Sequence, residues 1–232
     1  MTGRTLVYTC DVDFLCDPGA FERALEQVSF GRREKIGRIR FLKDKRLSLG
    51  AELLLKAALA RQGIESLPEI EYQKGGKPYF KDLPNLFFNL SHSGSRALCT
   101  LSDSPVGCDI EKISAPRMNV AKRCFCSEEY RHICSLPEGK EQAELFFRYW
   151  VLKESFVKAV GAGLGLAFNR FCINFEDEKI TVRQNFDKNE YSFYQFEQIP
   201  DYKCAVCVLG KTDEIVFEDI NLKDARAKKV GY

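Results

Sequence analysis

The sequence predicts an α+β protein of two comparable lobes, and three observations carry that prediction. Segments with helical spacing and segments with strand character occur in both halves of the chain. The 232 residues allow one large domain or two of roughly 100–150 residues each. Hydrophobic residues make up 45% and aromatics 12%, ample for a sizeable core. No internal repeat, low-complexity tract or clear linker interrupts the chain, and we place the lobes at 1–105 and 106–232.

Taken in order, Thr5 to Thr9 reads as a first strand and Phe21 to Val28 as a short helix. A basic segment from Gly31 through Arg46 follows. From Asp44 to Gln62 the residues Leu47, Leu54, Leu55, Ala58 and Leu59 recur at helical spacing, with Gly63 as a natural stop. Glu69 to Tyr72 is a candidate strand, and Gly75-Gly76-Lys77-Pro78 a turn. Phe87 to Ser91 reads as a strand running into a loop that holds His92. Strands at Arg96–Ser102 and Val106–Glu111 flank the turn-rich Asp103-Ser104-Pro105. Helices are predicted at Met118–Phe125, Ser127–Ile133 and Glu141–Val160, the second with a hydroxyl cap and acids at its positive end. Gly161-Ala162-Gly163-Leu164-Gly165 ends the long helix. Strands at Phe171–Phe175, Ile180–Arg183, Glu190–Gln198 and Lys203–Leu209 complete the reading.

Charge and composition exclude several classes of function. With 35 Lys and Arg against 33 Asp and Glu, the net charge of +2 rules out coating nucleic acid through bulk charge. No apolar run approaches the roughly 20 residues of a membrane span. The amino end passes straight into a strand without a long apolar stretch, so a cytoplasmic protein is expected. On that footing the ten cysteines are expected to be reduced, small apolar fillers. Cys204-Ala205-Val206-Cys207 is the one CxxC, set in a strand-like segment. A zinc site would want further cysteines or histidines near it, and the chain has only His92 and His132.

The chemistry concentrates in a few short segments. In Gly107-Cys108-Asp109-Ile110-Glu111, strand alternation puts Asp109 and Glu111 on one face. Two such carboxylates suit magnesium with substrate phosphates, although the pattern on an exposed strand is commonly plain surface charge. In Trp150-Val151-Leu152-Lys153-Glu154-Ser155-Phe156-Val157-Lys158, the residues Trp150, Glu154 and Lys158 share one side of a helix. A solvent-exposed Glu–Lys pair explains two of them. The single tryptophan aligned with that pair points instead to the wall of a site, with Glu154 a third carboxylate and Lys153 and Lys158 beside anionic oxygens. In Phe88-Asn89-Leu90-Ser91-His92-Ser93-Gly94, Ser91 and His92 are able to hydrogen-bond a phosphate. Lys77, Arg32, Lys35 and Arg46 are further anion-binding candidates, a solvated helix face being the simpler account of the basic run.

Gly76-Lys77-Pro78, the Asn89-to-Gly94 segment, Gly107-to-Glu111 and Trp150-x-x-Lys153-Glu154-Ser155-Phe156-x-Lys158, in this order, resemble the signatures of 4′-phosphopantetheinyl transferases of the surfactin-synthetase-activating type. The resemblance implies two similar lobes related by a pseudo-twofold, each a small antiparallel sheet packed with helices, with the active site at their interface. It implies transfer of the phosphopantetheine arm of coenzyme A to a serine of an acidic acyl or peptidyl carrier protein, by a monomer using magnesium. It implies Asp109, Glu111 and Glu154 as metal ligands, Glu154 and Lys158 as catalytic groups, and Lys153 beside the leaving phosphate. Lys77 and Pro78 would border the nucleotide. Arg46, Ser91 and His92, with Arg32 and Lys35, would hold phosphates, so the nucleotide contacts fall in 1–105 and the metal site in 106–232. Arg123, Phe125 and Arg131 are candidates for the carrier-binding patch. Ala162 stands where some members carry lysine, and Cys108 where an aliphatic residue is usual. Two rival readings make the protein a nucleic-acid-binding module using residues 32–46, or a non-catalytic scaffold.

Overall fold

The computed structural model describes residues 3–176 and 179–223. Met1 and Thr2, part of the segment read as lacking a leader, lie outside them, as do residues 224–232 of the second expected lobe. The chain runs β1 (Arg4–Asp11), α1 (Pro18–Leu25), α2 (Phe30–Gly37), α3 (Leu42–Arg61), β2 (Ile70–Tyr72), β3 (Pro78–Phe80), β4 (Phe87–Ser93), β5 (Arg96–Ser102) and β6 (Val106–Lys112). It continues through α4 (Met118–Cys124), α5 (Ser127–Cys134), α6 (Lys140–Val160), β7 (Cys172–Glu176), β8 (Lys179–Arg183), β9 (Tyr191–Phe196), β10 (Tyr202–Leu209) and β11 (Glu214–Asp219). The α+β class is observed as expected.

A four-stranded sheet of order β11-β1-β5-β4 and a three-stranded sheet of order β6-β10-β9 form the frame, with hairpins β2–β3 and β7–β8 beside them. Alternation explains how β1 is buried on both faces. Leu6, Tyr8 and Cys10 join the core under α3, whereas Val7 joins a separate cluster between the sheets. That cluster draws Val106, Cys108 and Ile110 from β6 and Cys204, Val206 and Val208 from β10. The other face of β10, through Ala205 and Cys207, packs into the core around α6. Cys108 therefore points away from the carboxylates of its own strand, and Cys204 and Cys207 are apolar filler rather than metal ligands.

Four elements differ from the sequence reading, one being α2, a helix where the sequence reads only as a basic segment. The last strand, β11, was not anticipated, and it pairs in parallel with β1. The expected boundary at 105/106 corresponds to the β5–β6 connection, and β11 returns across it to complete the first sheet. The turn at Gly75–Pro78 leads into β3, whose first residue is proline, a position where the missing N–H costs no ladder bond. The expected loop at His92 is strand, because β5 pairs along the full length of β4, with His92 opposite Ala97 and Ser93 opposite Arg96.

Two glycines set the position of α6. Gly161 ends it in the left-handed conformation at φ 77°, a region closed to most side chains. Gly107 lies where β6 passes beneath the helix, and a Cβ there would overlap the Ser155 carbonyl and the Ala159 amide. Gly107→Ala is accordingly expected to push α6 off β6 and cost about 1–3 kcal/mol as an overpacked core does. A lowered melting temperature together with weaker transfer activity would show this; an unchanged melting temperature would refute it.

Candidate active site

The site is assembled where β4 and β6 run side by side. Asn89, Ser91 and Ser93 alternate along β4, so their side chains share one face. Asn89 Oδ1 accepts the Cys108 amide at 2.9 Å, Ser91 Oγ the Ile110 amide at 3.4 Å and Ser93 Oγ the Lys112 amide at 3.2 Å. Side chains thus close a seam that a backbone ladder would close elsewhere. The same hydroxyls aim the acids: Ser91 donates to Asp109 Oδ1 at 2.7 Å, and Ser93 to Glu111 Oε2 at 2.6 Å.

From above, α6 brings Lys158, whose Nζ lies 2.7 Å from Asp109 Oδ1, 3.0 Å from the Cys108 carbonyl and 3.2 Å from Ser91 Oγ. Glu154 and Trp150, one and two turns earlier, line the same cleft as Lys158. Burial raises the Glu154 carboxyl above its usual range, and the charges of Asp109 and Glu111 raise it further. Glu111 is raised for the same reasons, burial first and then Asp109. Burial pulls the Lys158 ammonium down, but Asp109 and its neighbours outweigh that, and its pKa stands above the ordinary value.

Asp109 is 4% exposed, and its second oxygen, Oδ2, is buried without a hydrogen-bond partner. A buried carboxylate oxygen left bare is costly, and a hard cation is a partner of the right chemistry for it. The fit is incomplete in one respect. Among the described residues, the group of acidic, cysteine or histidine side chains whose ligand atoms all lie within 4.8 Å of one another is Cys126, Glu128 and Cys172. Asp109, Glu111 and Glu154 sense one another's charge but are not drawn to that spacing; Lys158 is the cation closing on Asp109.

The cleft has a volume of about 570 Å³ and lies between the Gly75–Pro78 segment on one side and α6 with Phe168 on the other. Lys77 enters it, donates to the Ala159 carbonyl at 2.8 Å, and has its pKa pushed down to about 8 by burial. Pro78, Asn89, Leu90 and Arg123 also line it. His92 is exposed at the sheet end; desolvation by surrounding protein, with the Lys158 charge, shifts its pKa downward.

Other expected residues lie elsewhere. Lys153 is wholly buried, giving its Nζ to Glu129 Oε1 at 2.8 Å and to the Phe171 carbonyl at 2.9 Å, so it faces the core and not the cleft. Arg32 pairs with Glu52 at 2.5 Å and donates to the Ser48 carbonyl at 2.8 Å. With Lys35 it lines a second cleft of about 670 Å³, which also includes Tyr72. Because Tyr72 pairs with Pro78, the β2–β3 hairpin stands between the two clefts. Arg46 donates to Cys16 Sγ at 3.0 Å and lines neither. Of the candidate carrier contacts, Phe125 is 4% exposed and belongs to the core, and Arg123 faces the main cleft. Ser93 and Asn89 join the site beyond the residues expected from sequence, and their signal is the two-residue spacing they share with Ser91.

The expectation of reduced cysteines is corrected at one place, where Cys126 and Cys172 form a disulfide across 46 residues. These two approach because the start of α5 packs on β7, a contact that no local spacing discloses.

Two family models match successive parts of the chain. Residues 16–102 match the N-terminal model of 4′-phosphopantetheinyl transferase, and residues 105–207 match the 4′-phosphopantetheinyl transferase superfamily. The chain is 32% identical over 189 residues to 4′-phosphopantetheinyl transferase Sfp of Bacillus subtilis, covering 80% of this chain and 84% of that protein. It is 33% identical over 183 residues to 4′-phosphopantetheinyl transferase psf-1 of Bacillus pumilus, covering 78% of each. Among solved structures, holo-[acyl-carrier-protein] synthase of Thermotoga maritima is similar over 47% of this chain and 64% of that one, at 23% identity and a TM-score of 0.40. With its four motifs in order, two family models matched in succession and relatives above 30% identity over most of its length, the chain belongs to the 4′-phosphopantetheinyl transferase superfamily and is a transferase of the Sfp-like type.

Proposed function

We propose that this enzyme moves the 4′-phosphopantetheine arm of coenzyme A to a serine hydroxyl of an acyl or peptidyl carrier protein. The serine oxygen attacks the phosphorus that bears pantetheine. The anhydride P–O bond breaks, and adenosine 3′,5′-bisphosphate departs. The observation that carries this reading is Asp109, with one oxygen tied to Lys158 and Ser91 and the other buried and unpartnered. Asp109, Glu111 and Glu154 are the residues that would hold magnesium, which when bound spreads the charge developing on the phosphates.

The chain's own groups do the rest. Lys158 supplies a fixed positive charge beside the leaving phosphate. Glu154 lines the cleft where the hydroxyl must arrive, and takes its proton. Lys77 and Pro78 border the nucleotide at the cleft's other wall. Ser91 and His92 assist on the phosphates, Ser91 chiefly by holding Asp109. One chain supplies β4, β6 and α6, so a monomer suffices, with the cleft at the junction of its two halves. Arg32 and Lys35, across the hairpin, are the residues that would meet the 3′-phosphate, with Arg32 held in place by Glu52.

A groove of about 350 Å³ on the far side of Trp150 suits the carrier. Phe146, Phe147 and Trp150 give it an apolar floor, and Lys43, Lys112 and Arg117 a basic rim next to Glu111. An acidic carrier surface complements that rim. We favour it over the patch expected around Arg123, Phe125 and Arg131, of which Phe125 is core and Arg123 faces the cleft, while Arg131 is exposed.

Intact-mass spectrometry of apo-carrier proteins incubated with the enzyme, coenzyme A and magnesium tests the reading. One phosphopantetheine added per carrier, abolished by EDTA and restored by magnesium, is expected. Coenzyme A that neither binds nor is consumed would overturn it.

A further inference from the structure

Four deeply buried cysteines are chemically quiet. Cys99, Cys108, Cys204 and Cys207 are buried, and burial raises their thiols far from reactivity. Cys126 and Cys172 differ in being joined to each other and in retaining 8% and 7% exposure at the edge of the core. Cys172 Sγ lies 3.3 Å from Glu128 Oε2, on a side chain that is half exposed, so the bond sits close beneath the surface.

The pair is asymmetric. Cys126 is the N-cap residue of α5, at the positive end of the helix. The positive helix end stabilises a thiolate there. Glu128 lies near both sulfurs and disfavours a thiolate at either, so the helix end is what distinguishes them. An external thiolate attacking Cys172 therefore expels Cys126 as the better leaving group. A second thiolate then resolves the mixed disulfide. Two small thiols are oxidised to one disulfide, two electrons pass to the protein pair, and two protons end on the released cysteines.

The bond also has leverage on the cleft. Arg123 and Cys124 line the cleft just before Cys126, and Phe168 and Asn169 line it just before Cys172. Phe125 stacks on Phe168 at 6.4 Å, so the two segments already pack as one wall. Breaking the bond need not unfold this region. Glu129 accepts the Cys126 amide at 3.0 Å, the Ile173 amide at 2.7 Å and Lys153 Nζ at 2.8 Å, holding α5, β7 and α6 together without sulfur.

We propose that Cys126 and Cys172 form a thiol–disulfide exchange site, oxidised by small-molecule disulfides and reduced by small-molecule thiols, whose state tightens or loosens the cleft wall. That the wall faces coenzyme A rests on the function proposed above. The exchange itself does not.

Trp150, the chain's single tryptophan, lines the cleft with its ring 5.4 Å from that of Phe168, and so reports the wall without any ligand. The whole enzyme is equilibrated in glutathione and glutathione-disulfide mixtures of graded ratio, alkylated, and mapped by peptide mass. Trp150 emission and coenzyme A affinity are measured at each ratio. Cys126 and Cys172 are expected to pass together from linked to alkylated. Trp150 emission should move with them, and coenzyme A affinity should fall several-fold on reduction. The Cys126→Ser/Cys172→Ser variant, which keeps a capping hydroxyl on α5, should hold the reduced values at every ratio. Cys126 and Cys172 alkylated at all ratios, as the exposed Cys16 and Cys134 will be, would overturn the proposal, as would a Trp150 emission indifferent to their state. Failure of coenzyme A to bind in any state would sink the proposed function instead, with the Trp150 response still deciding this one.

Discussion

Asp109→Ala is expected to leave the enzyme folded and to cut transfer by at least roughly 10²–10³-fold, the scale of losing one preorganised electrostatic contact. The fold survives because the variant also removes a buried oxygen with no partner, Oδ2, whose desolvation the native protein bears. Lys158 keeps the Cys108 carbonyl and Ser91 Oγ, and a quarter of its side chain reaches solvent. Lost with Asp109 are the carboxylate proposed for magnesium and the anchor that fixes the Lys158 charge. Steady-state transfer assays beside thermal melts check this. A variant with native turnover would remove Asp109 from the mechanism, and one that is unfolded would make it a structural residue.

Lys153→Met should act the other way, through stability. Methionine matches the length of lysine, so packing is largely kept, but Glu129 is left 1% exposed without its cation. Removing one member of a buried pair typically costs about 3–5 kcal/mol, a large part of a domain's total of about 5–15 kcal/mol. Glu129 would retain the Cys126 and Ile173 amides, which hold the loss toward the lower end of that range. Denaturant melts of the variant measure it, and Glu129→Gln/Lys153→Met should recover part of the loss by removing the stranded charge. Should Lys153→Met instead keep full stability and weaken coenzyme A in a salt-dependent way, Lys153 would be a phosphate ligand after all.

The contrast between these two residues shows how far the motif itself could be read. Glu154 and Lys158 stand four apart and face one way, whereas Lys153 precedes Glu154 by one residue and points roughly 100° around the helix. Adjacency within a motif places residues in the same stretch of chain but on different faces. Spacing separates the faces without naming what covers each one. Here the cleft covers one side of α6, and Glu129 with Phe171 covers another.

By itself the sequence determined the α+β class, most of the strands and helices, the shared face of Asp109 and Glu111, and the alignment of Trp150, Glu154 and Lys158. All of these follow from local periodicity and from turn and stop residues, which act over a few positions. Tertiary structure alone decided the rest. It set the Ser91 and Ser93 seam that orients the acids, and the return of β11 to β1. It also placed Arg32 and Arg46 away from the carboxylates, and joined Cys126 to Cys172. Each depends on segments far apart in the chain meeting through packing and hydrogen bonds, and a pattern with a period of two or three and a half residues carries no information about such meetings.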